Sequence, residues 1–176
     1  MFPPVFVCGM PGSGKSTLGK KLASSLGLKF IDLDTLIEQI ADMSVKEIFK
    51  IQGEPIFRQM EAEALQSCYE LQNTLIACGG GTPCFGNNLE MMQQAGICVY
   101  IHLPVTALAK RLKQKSSIES RPLLSQEDAG PEEQLEKLYE ARKHWYQQIP
   151  IVVSPLEESK AAMVQKIKDA LSSAKL

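Results

Sequence analysis

The amino-acid sequence predicts an α/β fold, a three-layer sandwich in which helices flank a five-stranded parallel sheet and a mobile lid covers the site. Two observations predict it. Short apolar segments alternate with segments of helical spacing, which is the pattern of a parallel sheet covered on both faces. The motif G-x-x-x-x-G-K-S at Gly9–Ser16 lies between the first strand and the first helix, where it forms a phosphate-binding loop.

The predicted strands are Val5–Cys8, Lys29–Ile31, Thr74–Ala77, Cys98–His102 and Ile151–Val153. The first predicted helix follows the loop to about Leu26, where Gly27 ends it. The other predicted helices are Thr35–Ile40, Val45–Ile51, a longer helix from Gly53 to about Leu71, Asn88–Gln94, Val105–Lys113, Pro131–Gln148 and Glu158–Ser172. Ser44 and Glu47 fit a capping box at the start of the predicted helix Val45–Ile51.

The chain has 176 residues, which suits one domain over residues 1–176. A polar connection of unusual length, at about 114–130, is expected to act as the lid. The net charge of −1 gives no sign of a nucleic-acid or membrane surface, and no targeting segment is recognisable, so we expect a cytoplasmic protein. The five cysteines include no C-x-x-C pair and are expected to be ordinary thiols.

The phosphate-binding loop predicts nucleotide and Mg²⁺ binding. Backbone N–H groups of the loop and the helix N-terminus suit an anion. Lys15 can reach the terminal phosphates, and the Ser16 hydroxyl can ligate Mg²⁺. The alternative is a glycine-rich turn that binds nothing.

Two carboxylates, Asp32 and Asp34, come directly after the second strand. In an extended segment they point to the same side, so one can hold Mg²⁺ through its water shell while the other accepts a proton from an attacking hydroxyl. The alternative is that Asp34 only caps a helix that starts at Thr35.

Arg58 and Glu61 lie one turn apart on one predicted helix. The functional interpretation is an arginine held by Glu61 so that its fork meets a substrate carboxylate. The alternative is a surface ion pair.

Gly79, Gly80 and Gly81 follow the third strand and allow a ligand to approach the backbone closely; the alternative is a flexible turn.

Arg121 lies in the expected lid, where it can close over the transferring phosphoryl group or simply be solvated.

Taken together, these residues resemble the shikimate kinases over nearly the whole chain. The matching blocks are Gly9–Thr17, Asp32-Leu33-Asp34, Gly53-Glu54 with Phe57-Arg58 and Glu61, Gly79-Gly80-Gly81, Arg121-Pro122-Leu123-Leu124, and Tyr139–Tyr146 around Arg142.

The resemblance implies phosphorylation of the 3-hydroxyl of shikimate by ATP with Mg²⁺, a step towards chorismate and the aromatic amino acids. It also implies a fold of the nucleoside-monophosphate-kinase type, with a substrate-binding helical segment at about 33–61. The implied catalytic residues are Asp34, Lys15 and Arg121. The implied nucleotide contacts are Gly12, Ser13, Gly14, Lys15, Ser16, Thr17, Arg111, Arg121 and Pro155. The implied shikimate contacts are Asp34, Arg58, Gly79, Gly80, Gly81 and Arg142. Ser16 and Asp32 are the implied metal ligands.

Two other functions stay open at this point. One is a different small-molecule kinase with the same loop, acting on gluconate or a nucleotide. The other is a nucleotide-binding regulatory module without catalysis.

Thr82-Pro83 and the apolar segment Val153–Leu156 depart from the family pattern. A monomer that binds only ATP and shikimate, with no nucleic acid and no membrane, is our expectation.

Overall fold

The structure is a computed structural model, and it describes residues 1–114 and 130–174. Its sheet has five parallel strands in the order β2-β3-β1-β4-β5. The strands are β1 (Val5–Gly9), β2 (Lys29–Asp32), β3 (Thr74–Ala77), β4 (Ile97–Ile101) and β5 (Ile151–Val153). The predicted five-stranded parallel sheet is therefore confirmed.

Two hydrophobic cores lie on the two faces of the sheet, as the central strand β1 shows. Its side chains alternate, so Phe6 and Cys8 enter one core while Val5 and Val7 enter the other. All five residues of β1 are buried. A strand buried on both faces must be apolar throughout, which is why the sequence pattern here is continuous and not alternating.

Helices cover both faces, and their bounds agree with the predicted ones to within two residues at every end except one. They are α1 (Lys15–Leu26), α2 (Leu33–Ala41), α3 (Val45–Ile51), α4 (Gly53–Gln66), α5 (Asn88–Ala95), α6 (Val105–Gln114), α7 (Pro131–Tyr146) and α8 (Lys160–Ser173), with a 3-10 turn at Thr82–Cys84.

The exception is α4, which was predicted to reach Leu71 and ends at Gln66. Beyond that residue the backbone tightens, because the N–H groups of Cys68 and Tyr69 donate to carbonyls three residues back. Cys68 is fully buried in the core, so tertiary packing ends the helix where local helical spacing alone would continue it.

The carboxyl ends of the strands bring the predicted motifs to one edge of the sheet. β1 ends at Gly9, β2 ends at Asp32, and Cys78 follows β3. Because β1 pairs with β3 on one side and with β4 on the other, a crevice opens above it, as in other open parallel sheets. The predicted lid, including Arg121, lies almost entirely outside the described residues.

No helix in residues 1–114 and 130–174 has both the length and the apolar character needed to cross a membrane.

The capping box at the start of α3 is present as predicted. Ser44 Oγ accepts a hydrogen bond from the Glu47 N–H at 3.3 Å, and the Ser44 N–H donates to Glu47 Oε2 at 2.9 Å. These bonds satisfy backbone groups that a helix end would leave unpaired.

We expect Ser44→Ala to lower the free energy of unfolding by about 1 kcal/mol, because the helix loses its N-cap side chain. Urea unfolding followed by circular dichroism measures the change. Ser24→Ala is the matched control, since Ser24 is exposed within α1 and caps nothing, so its stability should stay unchanged or rise slightly. An equal response of the two variants would contradict the capping role.

Candidate active site

A cavity of about 640 Å³ lies at the carboxyl edge of the sheet. Every site residue predicted from the sequence within the described ranges lines it. These residues are Gly12, Ser13, Gly14, Lys15, Ser16, Thr17, Asp32, Asp34, Arg58, Gly79, Gly80, Gly81, Arg111, Arg142 and Pro155. Residues that are far apart in sequence therefore share one site.

The phosphate-binding loop forms one wall of the cavity. Gly12 and Gly14 have φ values of 84° and 90°, in the left-handed region that favours glycine. α1 begins at Lys15 without a side-chain cap. First-turn N–H groups of a helix have no partners within the helix, so this wall suits a phosphate group.

Two cations flank the loop. Lys15 Nζ donates to the carbonyl oxygens of Gly9 at 2.9 Å and Met10 at 3.1 Å, which holds the ammonium group across the loop. Arg111 reaches the loop from α6, and its Nη1 donates to the carbonyl oxygen of Ser13 at 3.3 Å. A positive charge from a second element thus adds to the anion-binding character of this wall.

Asp32, which ends β2, and Asp34 do not have the arrangement predicted for them. α2 begins at Leu33, so Asp34 lies in the first helical turn and not in an extended segment. The cap is Asp32, whose Oδ1 accepts a hydrogen bond from the Thr35 N–H at 3.3 Å. The alternative interpretation, that Asp34 only caps a helix starting at Thr35, is therefore wrong, and Asp34 lines the cavity.

Asp34 is a carboxyl of the cavity with a raised pKa. Its surroundings raise the pKa of this carboxyl from its usual value near 3.8 to about 6. Burial is the largest cause, and the Lys15 ammonium group opposes it. The negative charges of Asp32, Glu61 and Glu38 add to the rise. A carboxyl with a pKa near 6 suits a proton acceptor at neutral pH.

Arg58 is held by a network and not by a single surface pair. Its Nη1 donates to Glu61 Oε2 at 2.8 Å, and its Nη2 donates to Glu54 Oε1 at 2.8 Å. The guanidinium carbon lies 3.9 Å from the ring centre of Phe85, a cation–π contact. The side chains of Arg58 and Glu61 are only 11% and 1% exposed, so the interpretation as a surface ion pair is wrong.

Gly79 and Gly81 leave room for charged side chains of the site. A Cβ atom on Gly79 would lie 2.6 Å from Glu61 Oε1 and 3.1 Å from Asp34 Oδ1. A Cβ atom on Gly81 would lie 2.9 Å from both terminal nitrogens of Arg58. The lack of side chains here lets acid and arginine pack directly on the backbone, beside the space left for a ligand.

Arg142 enters the cavity from α7 and is only 5% exposed. One turn further along the helix, the Tyr146 hydroxyl donates to the carbonyl oxygen of Gly80 at 2.5 Å, and its ring stacks on Tyr100 at 4.8 Å. These contacts dock α7 on the glycine triplet. Within the described ranges, no carboxylate lies within ion-pair distance of Arg142.

The sequence analysis assigned no role to several parts of the site, although it named Glu54 and Phe57 within a matching block. Val45, Phe49 and Phe57 form an apolar wall of the cavity, and the two aromatic rings lie 4.6 Å apart. Their helical spacing resembles ordinary core spacing, so no local signal marks them as lining residues. Glu54 was detectable, because it lies four residues before Arg58 on the same helix face.

The raised pKa of Asp34 has a consequence for stability in the ligand-free, metal-free protein. The folded state binds this proton more tightly than the unfolded chain does, so stability falls as the pH rises from about 4 to about 6. Above that range the folded protein carries the full cost of a buried charge. We therefore expect Asp34→Asn to raise the free energy of unfolding at pH 7.5 by on the order of 1–3 kcal/mol, because one unit of pKa corresponds to about 1.4 kcal/mol. Urea unfolding of the variant and of wild type measures the difference.

The difference between Asp34→Asn and wild type should shrink as the pH is lowered towards 4. Asp169→Asn serves as the control, because this exposed residue on α8 lies outside the cavity and should not change the pH dependence. An Asp34→Asn protein that is no more stable than wild type at pH 7.5 would refute the burial argument.

Comparison with known proteins agrees with this geometry. A family model described as shikimate kinase matches residues 11–172. A shikimate kinase of Clostridium botulinum (strain Loch Maree / Type A3) is 38% identical over 166 residues, which cover 93% of this chain and 95% of the relative.

Solved structures show the same likeness. The shikimate kinase from Acinetobacter baumannii in complex with shikimate has 31% sequence identity and a TM-score of 0.86, and the match covers 100% of this chain and 96% of that one. The shikimate kinase from Bacteroides thetaiotaomicron has 33% identity and a TM-score of 0.85, covering 98% and 99%. The chain therefore belongs to the shikimate kinase family.

Proposed function

We propose that this protein transfers the γ-phosphoryl group of ATP to the 3-hydroxyl group of shikimate. The observation that carries the proposal is one cavity with two unlike halves. The phosphate-binding loop forms the donor half, and the buried Arg142, the partly buried Arg58 and the acid Asp34 form the acceptor half. Family membership supports the same reaction, and the relative from Acinetobacter baumannii was solved with shikimate bound.

The donor half suits ATP with Mg²⁺. The backbone of residues 12–17 would cradle the phosphates, while Lys15 would neutralise the charge that develops on the γ-phosphoryl group. Arg111, which contacts the loop, and Pro155 both line the cavity and would enclose the adenine. Arg121 lies outside the described residues, and we propose for it the contact with the transferring group that the family resemblance implies.

The oxygen donors of this half fit a magnesium ion. Ser16 and Asp32 both line the cavity and would hold the ion, Asp32 through water. Within the described ranges, no three His, Cys, Asp or Glu side chains converge on one metal position. A metal here would take most of its ligands from phosphate and water, as Mg²⁺ does in kinases, and would neutralise charge between the β- and γ-phosphates.

The acceptor half suits a carboxylated, hydroxylated ring. Arg142 is buried without a carboxylate partner among the described residues. An unpaired buried charge is unfavourable, so an anionic ligand that paired with Arg142 would bind favourably. Arg58 presents a second guanidinium group in a fixed orientation. Phe57 and Phe49 offer an apolar surface to the carbons of the ring.

Asp34 would accept the proton. The oxygen of the substrate 3-hydroxyl forms a bond to the γ-phosphorus, the bond from that phosphorus to the β–γ bridging oxygen breaks, and ADP leaves. The hydroxyl proton passes to an oxygen of Asp34, which is mostly ionised above its pKa of about 6. The remaining residues contribute position and charge and form no covalent bond with the substrate.

A coupled assay of ADP release tests the function. We expect turnover with ATP, Mg²⁺ and shikimate, and none with gluconate or a nucleoside monophosphate in place of shikimate. Phosphorus–proton coupling in the product identifies the phosphorylated hydroxyl. Turnover with gluconate or a nucleotide alone would establish a different kinase, and ATP binding that shikimate leaves unchanged, without any turnover, would establish a non-catalytic module.

We expect Arg142→Lys to raise the KM for shikimate by about tenfold or more, because a lysine keeps the charge but loses the paired donors. The KM for ATP should stay unchanged. Lys143→Ala is the control, because Lys143 is the next residue on α7 and its amine pairs with Glu140 at the surface. An unchanged KM for shikimate in Arg142→Lys would show that Arg142 does not bind the carboxylate.

A further inference from the structure

Thr82 lies directly behind the glycine triplet and does not line the cavity. Its side chain is fully buried, and its Oγ1 donates a 2.6 Å hydrogen bond to Glu61 Oε1. The two residues are 21 positions apart in sequence, so the bond joins the 3-10 turn to α4. A buried bond this short, to a carboxylate, belongs to the stronger class of hydrogen bonds.

Both carboxylate oxygens of Glu61 are engaged, each by a different partner. Oε1 accepts from Thr82, and Oε2 accepts from Arg58 Nη1 at 2.8 Å. Two donors at opposite ends of a carboxylate fix its plane as well as its position. Thr82 therefore helps to set the orientation in which the Glu61 carboxylate accepts the hydrogen bond from Arg58.

Thr82 is itself held in place. Its N–H donates to the carbonyl oxygen of Gly79 at 3.3 Å, and its carbonyl oxygen accepts from Asn88 Nδ2 at 2.9 Å. Phe85, at the end of the same turn, stacks on Arg58. One short segment thus holds Glu61 by a hydroxyl and supports Arg58 by a ring.

We propose that Thr82 is a positioning residue for the acceptor substrate. Its hydroxyl holds Glu61, and Glu61 so held aims the Arg58 guanidinium at the substrate carboxylate. The proposal deepens the proposed function and rests on it, because Arg58 must meet an acceptor carboxylate.

Loss of the hydroxyl would leave a buried carboxylate oxygen without its donor, and such an oxygen is unfavourable. Glu61 would turn towards another donor, and the orientation of Arg58 would change with it. A paired contact between a guanidinium and a carboxylate depends on that orientation. The contact is made equally before and during phosphoryl transfer, so its loss appears in KM and not in kcat.

Three variants separate this role from a general structural one. Thr82→Val keeps the shape and removes the hydroxyl, whereas Thr82→Ser keeps the hydroxyl. Thr74→Val is the matched control, since Thr74 is equally buried and its hydroxyl donates to the Gln72 carbonyl oxygen at 2.9 Å, away from the cavity.

We expect Thr82→Val to raise the KM for shikimate by about tenfold, with kcat within about twofold of wild type and the KM for ATP unchanged. Thr82→Ser and Thr74→Val should both keep the wild-type KM for shikimate. If the valine prevents folding, Thr82→Ala lacks the hydroxyl with less bulk and must give the same rise in KM.

Glu61→Ala provides a second test, because Thr82 acts only through Glu61. In that background, Thr82→Val should add no further change in the KM for shikimate. A wild-type KM in Thr82→Val, an equal rise in Thr82→Ser, or a full additional effect in the Glu61→Ala background would each overturn the role of Thr82. Failure of the wild-type protein to use shikimate at all would instead overturn the proposed function.

Discussion

The acceptor half of the site depends on one ion pair, between the partly buried Arg58 and the buried Glu61. Taking a guanidinium and a carboxylate out of water costs free energy. Their attraction offsets that cost only if the other N–H groups and oxygen atoms of the two side chains also have partners. Here Glu54, Phe85 and Thr82 supply those partners, all within the described residues. The pair therefore contributes orientation to the site more than stability to the fold, because a guanidinium group held on several sides has little freedom left to lose when a ligand binds.

The same crowding of acids explains the chemistry proposed for Asp34. Glu61 Oε1 and Asp34 Oδ1 both lie close to Gly79, since a Cβ atom there would be 2.6 Å from the first and 3.1 Å from the second. Burial and neighbouring negative charge then raise the pKa of Asp34 to about 6, although the nearby Lys15 opposes the rise. A fold selected only for stability would replace this poorly solvated acid with a neutral residue. Asp34 lowers the stability of the folded protein but provides a proton acceptor close to neutral pH.

Local patterns in the sequence predicted the sheet, the phosphate-binding loop and most helix ends, because strand burial, glycine conformation and capping boxes act over a few residues. Arg58, Asp34 and the glycine triplet also came from local patterns, and their roles stay predictions. The start of α2 was missed for a local reason, because Asp32 and not Asp34 caps it, whereas the other errors have tertiary causes. α4 stops at Gln66 because Cys68 is drawn into the core. The contacts of Thr82 and Phe85 with the Arg58 network join segments more than twenty residues apart, so no spacing rule indicates them.

The central claim is that Arg58 and Arg142 together bind the carboxylate of the acceptor while Asp34 faces its 3-hydroxyl group. A crystal structure of the protein with shikimate bound tests it most directly. We predict that the carboxylate lies within hydrogen-bond distance of both guanidinium groups, with the 3-hydroxyl oxygen within about 3 Å of an Asp34 carboxylate oxygen. A ring bound the other way round, with its carboxylate at the phosphate-binding loop and its hydroxyls at the arginines, would contradict the account.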